Sequence, residues 1–396
     1  MKEWKKYKLQ ELCNIHRGSS PRPIQKFLST EGQPWVKISD ATADTSRYIS
    51  RTKECIIPEG IRYSVIVKPG TLIVSNSATP GLPKIMKIIA CVHDGWLIID
   101  NIKPIVLKEF LYYSFILIRR ELSNQANGSV FQNLKTEIVK NFEINVPPIS
   151  IQKRIVRILE RIEDKIDINN DINDNLEQQA QALYKSWFVE FEPFKDGNFV
   201  ESELGLIPEG WAVRDIYKYS DVVYGAPYKS SLFNENKEGY PLIRIRDLKS
   251  FTPQFYTQEI LPQTEYIIAG DVVAGMDAEF TPYIWQGEKG VLNQRCCKFK
   301  GQYPWVSNYY LLNLLKPELE YVQSYKTGTT VSHLGKADID RFKVITPPES
   351  IVKTFSVIVN SLLEQKIKSA YEIRNLTSTR DSLLPKLMSG ELKINE

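Results

Sequence analysis

The stretch "LKTEIVKNFEINVPPISIQKRI", Leu134 to Ile155, returns half a chain later as "LGKADIDRFKVITPPESIVKTF", Leu334 to Phe355. At a constant offset of 200 the identities are Gly128/Gly328, Leu134/Leu334, Phe142/Phe342, Pro147/Pro347, Pro148/Pro348, Ser150/Ser350, Ile151/Ile351, Lys153/Lys353, Ile158/Ile358, Asn175/Asn375, Leu176/Leu376 and Leu183/Leu383. A second set at offset 207 joins Trp4 to Trp211, Gly18 to Gly225, Pro34 to Pro241 and Asp40 to Asp247, and by Gly70/Gly270 the offset is already 200. The first copy therefore carries a net seven extra residues between Asp40 and Gly70. Solenoid units run to about 20 to 50 residues, so a period this long describes a pair of domains, with a pseudo-two-fold relation between them.

Each copy begins with a turn-rich region holding short strand-like runs such as "PWVKIS", "GTLIVS", "PLIRIR" and "GDVVAG", and a Pro-Pro pair then opens a long helical stretch. The expected class is α+β: two globular domains of mixed β-sheet and short helices, separated by two long antiparallel coiled-coil helices. The boundaries read as domain 1 over 1–148, a central long helix in 149–194, domain 2 over 195–346 and a C-terminal long helix in 347–396.

In the first helix Ile155, Leu159, Ile162, Ile166, Asn169, Asn173, Leu176, Ala180, Leu183 and Trp187 keep a 4-3 spacing, the inward seam of a coiled coil. About 40 residues at 1.5 Å rise give a rod of roughly 60 Å. The second helix repeats the seam through Phe355, Val359 and Leu362, shifts by one residue, and resumes at Ile373, Leu376, Leu383 and Leu387; Pro385 is expected to end or kink it. Such a stripe can pack on its own domain. Two matched stripes at equivalent places also satisfy each other if they run antiparallel. Asn169 and Asn173 fall mid-seam, either fixing register and orientation or marking a solvated stretch.

The chain's net charge of +4 hides an uneven distribution. Residues 1–148 carry 21 Lys/Arg against 13 Asp/Glu, which is +8; 149–196 carry 7 against 10 (−3), 197–346 carry 16 against 18 (−2) and 347–396 carry 7 against 6 (+1). A polyanion partner is suggested by the first region. The longest apolar run, "FLYYSFILI", is far short of the roughly 20 residues of a membrane span, and "MKEWKKYKLQ" has no apolar signal core, so a cytoplasmic protein without membrane contact is expected. Five Cys without a C-x-x-C pair suggest neither zinc knuckle nor disulfide framework.

Catalytic signatures fail one by one. No P-loop or glycine-rich strand-turn-helix cradle is present. "NVPPI" and "ITPPE" differ from the Asn/Asp-Pro-Pro-aromatic motif of amino-methyltransferases, since Val146 and Thr346 intervene and no aromatic follows. The three His are dispersed, His93-Asp94 reads as a hydrophilic turn, and Asp271, Asp277 and Glu279 read as loop charge. What remains is a binding surface without catalytic or metal residues. The first copy offers Arg17, Ser19, Ser20, Arg22, Lys37, Ser75, Asn76 and Ser77; the second offers Tyr228, Lys229, Ser230, Arg244, Arg246, Lys249, Asn293, Gln294 and Arg295. Arg suits guanine or phosphate, and Asn and Gln suit adenine.

The combination of "GSVFQNLKTEIVKNFEINVPPISIQKRIVRILERIEDKI", "LEQQAQALYKSWFVEFEPF", "LGLIPEGW" and the terminal "LLPKLMSGEL" resembles the DNA specificity (S) subunits of type I restriction-modification systems, over essentially the whole chain. The resemblance implies two target-recognition domains, each reading one half of a split asymmetric site on double-stranded DNA. It implies paired helices that set the gap and dock two methyltransferase (M) subunits. It also implies restriction/translocase (R) subunits in the full complex. S-adenosylmethionine for adenine methylation, and ATP with Mg for translocation and cleavage, would belong to those partners, leaving this chain non-catalytic and without a cofactor of its own. Two readings stand beside it: a type IIB-like specificity subunit, and a coiled-coil scaffold with two interaction domains that bind no DNA.

Overall fold

The computed structural model describes residues 4–42, 46–126, 133–326 and 332–392; the Gly128/Gly328 match lies outside them. The chain forms two compact units, Met1–Asp167 with Asn375–Glu396, and Ile168–Arg374.

In unit 1 one five-stranded sheet runs in the order Asn14–Arg17, Trp96–Asp100, Leu72–Ser75, Pro83–Met86, Tyr48–Ile49. Its central strands are buried on both faces, and the period-2 alternation of side chains divides them between two cores. Leu72, Val74, Leu97 and Ile99 meet Phe110, Leu111, Phe115 and Leu122 of the helix Lys108–Ala126. Ile73, Trp96 and Ile98 turn the other way, against Val36, Val67 and Val92 of a second five-stranded sheet. Continuous apolar runs such as "LIVS" are what a strand covered on both sides requires.

Unit 2 repeats this construction. Val272, Ala274, Cys297 and Phe299 face the helix Asn308–Lys326, while Val273 and Cys296 face Ile243, Trp285 and Leu292. Strand registers carry both sequence offsets. Arg17 lies opposite Leu97 as Tyr224 lies opposite Cys297, Trp35 opposite Cys91 as Leu242 opposite Val291, and Lys5 opposite Val146 as Ala212 opposite Thr346. The extra residues of the first copy surface as the strand Tyr48–Ile49, paired parallel to Pro83–Met86; the matching sheet of unit 2 has four strands.

The long helices are Ile149–Phe188 and Glu349–Met388, 40 residues each. In unit 1 the start of the first, through Ile155, Val156 and Leu159, packs with Leu384, Leu387 and Met388 at the end of the second. In unit 2 Ala180 and Phe188 pack with Val352, Phe355, Val359 and Leu363, so the pairing is antiparallel in both. Two expectations need correction. The one-residue slip is absent: Ile162 and Leu362 are both half-buried and Glu163 and Leu363 both buried, so the offset of 200 holds through the helix. Pro385 falls in the last turn and does not end the helix, which runs past it to Met388. No helix among the described residues is long and apolar enough to cross a membrane.

Candidate nucleic-acid interface

At equivalent places each copy gathers three loops at one end of its central strands. In unit 1 these are Gly18 to Arg22, Ser75 to Leu82 and His93 to Gly95. Gly18 lies so close to the carbonyls of Val92 and His93 that no side chain fits there, and Gly225 in unit 2 meets the carbonyls of Leu292 and Asn293 in the same way. Leu134 and Leu334 donate their backbone N–H to the carbonyls of Asn76 and Met276, 2.7 Å in each case, which ties the approach to the Pro-Pro segment into the cluster.

One carboxylate organises the cations of each cluster. In unit 1 it belongs to the Asp94 turn. The Ser20 hydroxyl donates to Oδ1 at 2.7 Å, Arg22 reaches Oδ2 at 3.3 Å, and Arg17 Nε and the Asn76 amide donate to the Asp94 carbonyl at 2.5 and 3.1 Å. Burial pushes the Asp94 carboxyl up, but the Ser20 hydroxyl, its own backbone, His93 and Arg17 outweigh it and hold it below the usual carboxylate range. His93 is held below the ordinary imidazole value by burial between Trp35 and Trp96. In unit 2 Asp277 plays this part, 3.0 Å from Arg295 and 2.6 Å from His333.

The side chains named from the sequence divide into two groups. Arg17, Ser19, Arg22, Lys229, Ser230, Arg246, Lys249, Gln294 and Arg295 are exposed, Ser20 and Ser77 half-exposed, and Lys37 is half-exposed with an ion pair to Glu54 at 2.6 Å. The others face inward and do structural work. Ser75 is wholly buried, bonding the Thr79 carbonyl and accepting from the Leu82 N–H at 3.0 Å. Asn76 is buried under the Asp94 turn, and Asn293 accepts from the Arg295 N–H at 3.3 Å. Tyr228 is buried with its hydroxyl on Thr264 at 2.9 Å. Arg244 lies across the Phe255 ring, 4.3 Å from its centroid, with Nε on Asp247 at 3.4 Å.

The helix set divides too. Ile155, Leu159, Ile166, Asn169, Asn173, Leu176, Phe355 and Val359 are buried; Ile162, Leu183, Leu362, Ile373, Leu376 and Leu383 are half-buried flanks. Asn169 works mid-seam, its amide donating to Glu372 at 3.0 Å and its carbonyl accepting from Ser369 at 3.2 Å.

In the sequence Asp94 reads as part of a hydrophilic turn and Asp277 as loop charge, and the buried Glu163 is given no part. Asp94 and Asp277 carry no motif, yet both sit beside glycine-packed turns that repeat between the copies, which is the signal that marks them. Among the described residues no group of three or more His, Cys, Asp or Glu could hold a metal ion.

Comparison with known proteins agrees over nearly the whole chain. The family model described as "Type I restriction modification DNA specificity domain" matches twice, over residues 1–178 and 208–371. The specificity subunit of the type I restriction enzyme MjaIX of Methanocaldococcus jannaschii is 28% identical, over 100% of this chain and 95% of its own length. That of HindI from Haemophilus influenzae is 24% identical, over 99% and 100%. The crystal structure of a type I restriction-modification S subunit from M. genitalium shares the fold, with a TM-score of 0.51 at 14% identity over 97% of this chain and 96% of that one.

Proposed function

Since the chain belongs to the type I restriction-modification DNA specificity family, we propose that it reads a bipartite, asymmetric site on double-stranded DNA, one half with each copy, in the service of partner subunits that carry the chemistry. The observation that carries this reading is the pair of equivalent loop clusters, each built on a glycine packed against carbonyls and each presenting an arginine steadied by a carboxylate, Arg22 by Asp94 and Arg295 by Asp277. Cations held this way are pre-aimed, so less side-chain entropy is lost when they meet phosphate or a guanine edge.

The exposed set is the contact set: Arg17, Ser19 and Arg22 in the first copy, and Lys229, Ser230, Arg246, Lys249, Gln294 and Arg295 in the second. Ser75, Asn76, Tyr228, Arg244 and Asn293 shape those loops from beneath. The paired helices set the gap between half-sites and dock two methyltransferase subunits, with restriction/translocase subunits completing the assembly. S-adenosylmethionine, ATP and Mg enter through those partners, and the complex works in the cytoplasm. The near-neutral second domain depends on local cations and on the methyltransferase for its hold on DNA, because phosphate attraction follows local rather than net charge.

The test is adenine-methylation mapping of genomic DNA by single-molecule sequencing, with this chain and its neighbouring methyltransferase co-expressed and the methyltransferase alone as control. A split asymmetric motif that appears only with this chain is the expected result. A stable complex that adds no motif would instead favour the scaffold reading.

A further inference from the structure

The seven-residue excess of the first copy brings more than an edge strand. Arg47, next to the strand Tyr48–Ile49, is buried, its guanidinium 3.3 Å from Glu163 Oε2 and in ion-pair contact with Asp164. The Tyr113 hydroxyl donates to the same Oε2 at 3.1 Å, and Arg380 lies 3.5 Å from Oε1. One buried carboxylate therefore joins four elements of unit 1: the inserted segment, the helix on the sheet, and both long helices. Arg47 is held above the ordinary arginine value, Tyr113, Tyr48 and Glu163 together outweighing burial, while burial pushes Glu163 up against the pull of Arg380 and Arg47.

At the equivalent positions unit 2 carries no charge, its own ion pair, the buried Lys366 with Glu177, lying one turn along the helices. At an offset of 200, Leu363 stands for Glu163 and Ala180 for Arg380, both buried, and Asn313 stands for Tyr113 with its amide turned to the Tyr309 carbonyl of its own helix at 2.8 Å. Packing at these positions does not require an ion pair. Charges buried together recover their desolvation only in good geometry, and apolar replacements of similar volume are often as stable. What a forked, charge-assisted contact adds is direction, since it is satisfied at few mutual angles, whereas apolar surfaces slide.

We propose that Arg47, Glu163 and Arg380 are positioning residues: they fix the angle at which the first recognition domain is held on its helix segments, and so the gap between half-sites that the protein accepts. This rests on the bipartite reading above.

The experiment uses the full chain with its methyltransferase and compares the parent with the triple variant Arg47→Met, Glu163→Leu, Arg380→Ala, which takes Leu and Ala from the equivalent positions of unit 2 and strands no buried charge; Asp164 and Asp381 keep more than half their side-chain surface in water. Both half-sites should persist in the variant's methylation map, while gaps one base pair longer or shorter become methylated to within about tenfold of the parental gap. A merely structural role would lower methylation at all sites alike. A folded triple variant confined to the parental gap overturns the proposal. Arg47→Lys keeps the charge but not the fork; if the triple variant fails to fold, a parental-only gap in Arg47→Lys overturns it equally. Absence of any split motif with the parent chain is a different failure, that of the bipartite reading itself.

Discussion

Phe355→Ala is the substitution whose effect the structure fixes most tightly. Phe355 is wholly buried, with ring centroids 4.9 Å from Phe188, 5.7 Å from Trp187, 6.1 Å from Tyr310 and 6.2 Å from Tyr184. Truncating a core Phe costs about 3–5 kcal/mol. Edge-on aromatic pairs add about 0.5–1.5 kcal/mol each beyond area burial, and with four ring neighbours the cost belongs at the upper end, about 5 kcal/mol. For a unit the size of Ile168–Arg374, at about 2–4 °C per kcal/mol, the midpoint should fall by about 10–20 °C. The equivalent position of the first copy is Ile155, also wholly buried but a smaller side chain without rings, and Ile155→Ala should cost less, about 2–4 kcal/mol. Scanning calorimetry on both variants, with tryptophan fluorescence reporting the neighbourhood of Trp187 and Trp211, makes the comparison. In the methylation map Phe355→Ala should erode recognition of the second half-site first. A midpoint within about 3 °C of the parent, or a larger loss in Ile155→Ala, refutes the ranking and with it the role of the ring cluster as the joint of unit 2.

Removing either partner of the Lys366–Glu177 pair should have unequal effects. Lys366 is buried and Glu177 keeps 38% of its side-chain surface, so Lys366→Met should be neutral to within about 1 kcal/mol, while Glu177→Ala, discounted for that exposure, should cost about 2–3 kcal/mol on urea unfolding. At the proposed DNA face, Arg246→Ala should weaken cognate binding by about 1–3 kcal/mol, or lower the salt slope by about one if the contact is to phosphate. Tyr228→Phe, losing only a hydroxyl that serves Thr264, should leave cognate binding unchanged by fluorescence anisotropy. Acid should loosen the first loop cluster: the folded Asp94 carboxyl lies below its unfolded value, so its contribution is complete above about pH 4 and lost as pH falls through the folded value. Amide exchange of Asp94 and Gly95 against pH should show that loss in the parent and not in Asp94→Asn; equal acid sensitivity in both would remove Asp94 from its organising part.

Much of this architecture is legible in the sequence because duplication writes it twice. The offsets of 207 and 200 reappear as strand registers, and the 4-3 stripe from Ile155 to Ala180 is the buried face of the helix. The stripe names Ile162 where the helix buries Glu163, because spacing counts apolar letters and cannot see that Arg47, 116 positions away, neutralises the next residue. The loops were harder still. Residue type suggests Ser75 and Asn76 as readers of bases, but type does not tell an outward amide from one that caps a turn from beneath, and only the fold puts Asn76 under the Asp94 carbonyl. Arg17, Arg22 and Arg295 stand in water where loop position puts them.

The division of the chain also governs how it is made. Unit 2 is one continuous segment, Ile168–Arg374, whereas unit 1 is closed by Asn375–Glu396. On the ribosome the second unit is therefore complete in sequence while Ile155 and Leu159 still await Leu384, Leu387 and Met388. Domains that emerge early usually fold early; here the half that starts first finishes last, and a chain broken off after Arg374 would carry a whole second unit and a first unit with its apolar seam exposed to water.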